Sequence, residues 1–208
     1  MQLEQGPLGN LGNGSGSGGS SNRTSGGGGL NLNLNLTPGG SFYPEQVNPS
    51  RVPGRQFKRQ VVNFKTDEKA GTIVINSRAH YLYYVLGDGK AVRYGIGVGR
   101  EGFGWQGTVS VGRKAEWPTW TPPPEMIARE KARGRILPAS MDGGPKNPLG
   151  ARALYLYRNG NDTMYRIHGT SEPWTIGLNV SSGCIRMVNN DVIDLYNRAK
   201  VGTKVVVL

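Results

Sequence analysis

Apolar and polar residues alternate along the second part of the chain and hardly at all along the first. From Val61 onward, short runs of β-branched and aromatic residues recur between glycine turns. "GTIVIN" (71–76) and "HYLYYVL" (80–86) predict strands. "GDGK" (87–90) predicts the hairpin turn that joins the second of these to "AVRYGIGVG" (91–99). "GTVSVGRKAEW" (107–117) predicts a further strand, and "GARALYLYR" (150–158) and "TMYRIHG" (163–169) predict a hairpin around "NGND". "TKVVVL" (203–208) predicts a closing strand. Helical spacing shows at Val192, Leu195, Tyr196 and Ala199. Asn190 is the expected cap there, with Asp191 at the favoured end of the dipole, Arg198 and Lys200 in the last turn, and Gly202 as the stop. "WPTWTPPPEMIARE" (117–130) predicts a proline-stiffened loop running into a short helix, with Pro124 in its first turn. The sum is a mainly β domain, a sandwich or barrel-like pair of sheets with one or two short helices.

Residues 1–60 read differently. Runs such as "GNGSGSGGSSNRTSGGGG" cannot bury enough apolar surface to offset the entropy of ordering them. They predict a flexible Gly/Asn/Pro-rich tail over 1–60 and a domain over 61–208, long enough for one core. "LNLNLNL" (30–36) alternates like a strand, but a glycine tract and "TPGG" enclose it.

The formal net charge of +11 suits nucleic acid, an anionic membrane or an acidic polymer. The Lys and Arg residues are spread out, and neither an RNP-type motif nor zinc-finger spacing is present in the sequence, so a nucleic-acid partner is not expected. No apolar stretch is long enough for a transmembrane segment, and no signal-peptide core stands at the N-terminus. Neither observation assigns a compartment.

The chain has one cysteine, Cys184, in "SSGCIRM" (181–187). A lone thiol makes no internal disulfide; it is either a small buried filler or a reactive atom. Small polar neighbours and the helix start soon after it favour the second reading. Of the two histidines, His80 opens a strand and reads as structural. His168 ends the alternating run "MYRIH" against a glycine, where an imidazole can project into a site and serve as the base a thiol needs. Spacing alone leaves a Cys184–His168 dyad open.

"RIHGTSEPWTIGLNVSSGCIRMVNNDVIDLYNRAKVGTKVVVL" resembles the C-terminal half of the L,D-transpeptidase catalytic domain of the YkuD type, with its histidine in an "HG" turn and its Ser-x-Gly-Cys segment followed by arginine. "TIVINSRAHYLYYVLGDGKAVRYGIGVG" looks like the family's opening strands and "NPLGARALYL" like its middle strand. The resemblance runs from Val61 to the end. It implies that Cys184 is the nucleophile and that His168 holds it as a thiolate and then protonates the leaving amine. It implies an oxyanion hole from the backbone N–H groups of Ser182, Gly183 and Cys184. Arg186 either binds a stem-peptide carboxylate or staples the loop. Ser181 and Ser182 brace the loop or touch substrate, and Gly169 and Thr170 adjoin the histidine at the cleft. Trp117, Trp120 and Trp174 form cleft walls or plain packing. Many family members carry histidine where this chain has Ser182, so no second imidazole assists the thiol.

The family's chemistry, as the resemblance implies it, belongs to cell-wall biogenesis and cell shape in the periplasm or envelope. The thiolate attacks a peptidoglycan tetrapeptide stem at its third residue, D-alanine leaves, and an amine resolves the thioester. That amine comes from another stem, giving a 3–3 crosslink, or from an envelope protein anchored to the wall. Metal and organic cofactors are not expected, and carbapenem-type β-lactams are expected covalent inhibitors. Two other readings stay open: an L,D-carboxypeptidase that hydrolyses the same bond, and a non-catalytic wall-binding module.

Overall fold

The computed structural model describes residues 53–100 and 105–208. The strands are β1 (Gln60–Asn63), β2 (Ile73–Asn76), β3 (Tyr81–Gly87), β4 (Lys90–Gly95), β5 (Val98–Gly99), β6 (Gly107–Glu116), β7 (Arg152–Arg158), β8 (Asn161–His168), β9 (Asn179–Ser181), β10 (Ile185–Arg186) and β11 (Lys204–Val207). The α-helices among the described residues are α1 (Pro124–Ala132) and α2 (Asn189–Arg198). Among these residues no helix is long and apolar enough to cross a membrane.

Two hairpin turns set the registers. Asp88–Gly89 and Asn159–Gly160 are two-residue loops with positive φ at both positions, the geometry that matches strand twist. The loop expected over "NGND" is therefore shorter than the sequence suggested, because Asn161 and Asp162 already pair in β8. Nine strands form one sheet in the order β1-β4-β3-β2-β11-β6-β7-β8-β10, and β5 pairs with β9 beside it. Just beyond β4, Gly97 exchanges two backbone hydrogen bonds with Arg186 of β10 (2.9 and 2.8 Å). The segment that follows β4 thus bridges to β10 at the far end of the large sheet, which gives the mainly β, barrel-like architecture that alternation predicts.

The core lies inside this closure. Ile73, Ile75, Leu82, Tyr94, Ile96, Leu154, Leu156, Ile167, Met187 and Leu195 are fully buried. Each such aliphatic side chain gains about 1.5–3 kcal/mol from leaving water. α2 packs across β7 and buries Val192 and Leu195. Its ends differ from expectation. The helix begins at Asn189 with Val188 as the cap residue, so Asn190 lies inside it. It ends at Arg198, where Lys114 Nζ donates to the carbonyls of Tyr196 (2.6 Å) and Ala199 (2.7 Å), and Gly202 sits in a later turn. A cation from another strand thus satisfies carbonyls that a local glycine motif was expected to satisfy.

β1 was not foreseen, because "QVVN" is too short a run to stand out. It pairs with β4. The residues before it are seated on the sheet: Phe57 packs on Tyr81 (5.8 Å between ring centroids), and Gln56 O accepts from Tyr81 and Arg93 (3.2 Å each). The rest of the expected tail, including "LNLNLNL", lies outside the described residues.

The loop after β6 behaves as its prolines suggest. Pro124 opens α1, whose residues are exposed or half-buried throughout. Trp120 and Met141 exchange backbone bonds (2.8 Å each), and buried Asn147 closes the loop's base. Its Nδ2 donates to the carbonyls of Pro118 (2.9 Å), Met141 and Asp142 (3.0 Å each).

Candidate active site

The parallel pair β8–β10 brings the lone thiol and His168 together. Ile185 pairs with Ile167 and Arg186 with His168. Paired residues of a parallel ladder point to the same face, and alternation puts the next residues on the other. Ile185 and Ile167 therefore enter the core. Cys184, Arg186, Arg166 and His168 share the opposite face, with the thiol diagonal to the imidazole, about 7–8 Å between backbones.

His168 is 4 % exposed, and its Nδ1 bonds the carbonyl oxygen of Gly169 at 2.5 Å. A carbonyl only accepts, so Nδ1 carries the proton and Nε2 of the neutral ring carries the lone pair. Burial first, then the positive charge of Arg186, pull the imidazole down to about 4. The half-buried Cys184 makes a long contact, Sγ to the Met164 carbonyl oxygen at 3.9 Å. Burial raises the thiol's pKa, and the Arg166 backbone N–H and the charges of Arg166 and Arg186 partly offset it. Both shifts favour neutral forms. They weigh toward thiol and imidazole and against the standing ion pair expected from the sequence.

The loop between β9 and the thiol is fixed by Ser181. Its buried hydroxyl donates to the Cys184 carbonyl (2.6 Å) and accepts from the Gly183 N–H (3.1 Å). That corrects one expectation: the Gly183 N–H is already engaged within the loop. Gly183 itself sits at φ 107°, a conformation that glycine supplies without strain. Ser182 is exposed. Thr170, 2 % exposed, accepts from the Glu172 N–H (3.0 Å) and so braces its loop from within. Arg186 donates from Nη1 to Glu172 Oε2 at 2.9 Å, a carboxylate partner from the protein's own loop. Trp174 is 38 % exposed in the same loop.

His80 lies elsewhere, with Nε2 bonded to Asn179 Oδ1 (2.8 Å) in a left-handed turn conformation (φ 58°).

Five residues near the site were not singled out from the sequence. Met164 has φ 63° at a bulge in β8 and turns its carbonyl toward the thiol; Asp162 holds it there, bonding its N–H (2.8 Å) and pairing with Arg166 (2.7 and 2.9 Å). Arg166 could have been read from alternation, two residues before His168. Glu172 carries no periodic signal. Asn189 was passed over for its neighbour: its Oδ1 accepts from the Ala151 N–H (2.9 Å) and lies so close to Gly150 and Gly169 that a Cβ on either would collide with it. It thereby backs the peptide whose carbonyl orients His168.

This arrangement can deprotonate a thiol by an oriented neutral imidazole at a partly exposed corner of a rigid sheet, with guanidinium charge alongside. The family model of the L,D-transpeptidase catalytic domain matches residues 70–207. The probable L,D-transpeptidase YbiS of Escherichia coli (strain K12) is 43% identical over 138 residues, 64% of this chain and 43% of that protein. This chain thus spans less than half the length of that relative. The putative L,D-transpeptidase YqjB of Bacillus subtilis (strain 168) is 33% identical over 138 residues, 65% of this chain and 69% of that protein. A crystal structure from Brucella melitensis described as a probable carnitine operon oxidoreductase is 51% identical, covers 74% of this chain and 96% of that one, and superimposes with a TM-score of 0.50.

Proposed function

The chain belongs to the L,D-transpeptidase catalytic-domain family, and on that premise we propose that it transfers the acyl group of a peptidoglycan stem peptide through a thioester on Cys184. The observation that carries this reading is the pairing of β8 with β10, which sets the only thiol beside an imidazole whose Nδ1 is committed to Gly169 O. Nε2 takes the thiol proton as Sγ attacks the carbonyl of the stem's third residue. The charge that develops on the carbonyl oxygen falls to the N–H groups of Ser182 and Cys184, since that of Gly183 is engaged. The imidazolium then protonates the departing amine of D-alanine, and the thioester remains. An amine acceptor, from a second stem or an envelope protein, loses its proton to His168 and resolves the thioester. Arg186 faces the same side and offers its guanidinium to a donor carboxylate. A carbapenem-type β-lactam presents a strained carbonyl to the same thiol. The envelope setting follows from the substrate.

Transfer, as opposed to hydrolysis, requires an acceptor held at reacting distance. We assign the wall of such a groove to the long loop whose base Asn147 closes. The test is tetrapeptide with and without a D-amino acid acceptor, the products separated by chromatography. Exchanged product should exceed tripeptide at millimolar acceptor. Tripeptide in excess at every acceptor concentration would make the protein an L,D-carboxypeptidase.

A further inference from the structure

The loop from Thr170 to Thr175 is held by its threonines. Thr170 Oγ1 accepts from the Glu172 N–H (3.0 Å). The Glu172 carbonyl accepts from the Thr175 N–H (3.0 Å) and hydroxyl (2.7 Å). The backbone of Glu172 is thus fixed without its side chain. That side chain, 48 % exposed, reaches across to Arg186 and bonds it with one oxygen only, at 2.9 Å on Nη1. Arg186 Nε is buried and has no partner among the described residues. Glu172 thus engages a single guanidinium nitrogen with a single oxygen, on the face that also carries Cys184 and His168. A guanidinium beside a thiol is a natural seat for a carboxylate, and two-oxygen contact along its edge is the stronger geometry. Glu172 fills part of that seat from within the protein.

We propose that Glu172 is a built-in occupant of the Arg186 carboxylate site: it holds the guanidinium in place in the free protein and yields to the C-terminal carboxylate of the acyl donor. It is a positioning residue that sets preference among donors and does not touch the reacting atoms. The inference rests on the acyl-donor reading given above. The exchange is charge-neutral at Arg186, since one carboxylate replaces another. Glu172, half in water already, is rehydrated at little cost, whereas the donor gains the two-oxygen contact that Glu172 lacks.

The experiment measures D-alanine release from a tetrapeptide with a free C-terminus and amine-product release from the same peptide as its C-terminal amide. Glu172→Gln removes the competing charge. A half-exposed pair contributes little, so KM for the free acid should fall about two- to fivefold, with kcat and the melting temperature nearly unchanged. KM for the amide should not move. Glu172→Ala should act in the same direction, because the threonines still hold the loop. An equal change in KM for both donors, or a rise for the acid, would show that Glu172 only braces the loop and would overturn the inference. Absence of D-alanine release by the wild-type protein would overturn the acyl-transfer reading, and this inference with it.

Discussion

Two corners of the molecule bury titratable groups, and they finish the task differently. Where β4 meets α2, Tyr94 donates to Asp194 (2.5 Å), Arg198 bonds Asp194 (2.8 and 3.2 Å), and Arg59 reaches Asp194 (3.2 Å) and Asp191 (3.8 Å). Every charge there has an opposite charge beside it. Where β8 meets β10, the thiol meets only backbone groups among the described residues, the Met164 carbonyl at 3.9 Å and the Arg166 N–H, the Arg186 Nε has no partner among them, and burial favours the neutral form of His168. The first corner is a completed network that ties α2 and the start of β1 to the sheet. The second is left incomplete, with donors and a lone pair available to something that arrives. Both are built on the same sheet by the same alternation. What separates them is whether the partners are already in the chain.

That contrast can be pressed from several sides. The largest expected effect is at the incomplete corner: His168→Ala should lower turnover by about a hundredfold or more, the usual range for a lost general base. Steady-state D-alanine release measures it, and a loss below tenfold would remove His168 from the chemistry.

The next effect is on stability against pH. The His168 pKa is depressed to about 4 in the fold. Between that value and its unfolded value near 6.5 the unfolded chain binds more protons, so acidification through this window destabilises the protein, by up to about 3 kcal/mol. Asp191 does the reverse. Burial raises its carboxyl to about 6 despite Arg59, so the fold takes up that proton first and acidification below pH 6 stabilises it by a similar amount. The two slopes oppose each other between pH 4 and 6. Asp191→Asn should therefore raise stability at pH 7 and make the protein lose stability more steeply between pH 6 and 4 than the wild type. Urea titrations across that range give the comparison; parallel curves for the two proteins would contradict it. Tyr94→Phe should cost about 1 kcal/mol, less than the full value of a charged hydrogen bond, because Arg198 and Arg59 still hold Asp194. His80→Ala should change turnover hardly at all, since its ring bonds Asn179 in an exposed turn.

The sequence made some of this legible and hid the rest for identifiable reasons. Alternation revealed β2, β3, β4, β6, β7, β8 and β11, because each buries one face and so repeats every second residue. The β10 strand is two residues long, too short to show a period, yet it sets His168 beside Cys184. The motif around the thiol led to the family, and the family model bears that out. The local roles were harder. Whether the Gly183 N–H was available depended on where the Ser181 hydroxyl turns. Glu172 meets Arg186 only because an irregular loop folds back over the sheet, and Asn189 backs Gly169 only because α2 starts two residues earlier than its caps suggested. Contacts of this kind lie between elements and leave no pattern along the chain.

The central claim is that Cys184 carries the acyl group. Incubate the protein with tetrapeptide and no acceptor, quench in acid within seconds, and measure the intact mass and the fragment that contains residue 184. The account predicts an adduct of one tripeptide acyl group per chain on that fragment, and neither adduct nor D-alanine release in Cys184→Ala. Release of D-alanine at the wild-type rate by Cys184→Ala would contradict it.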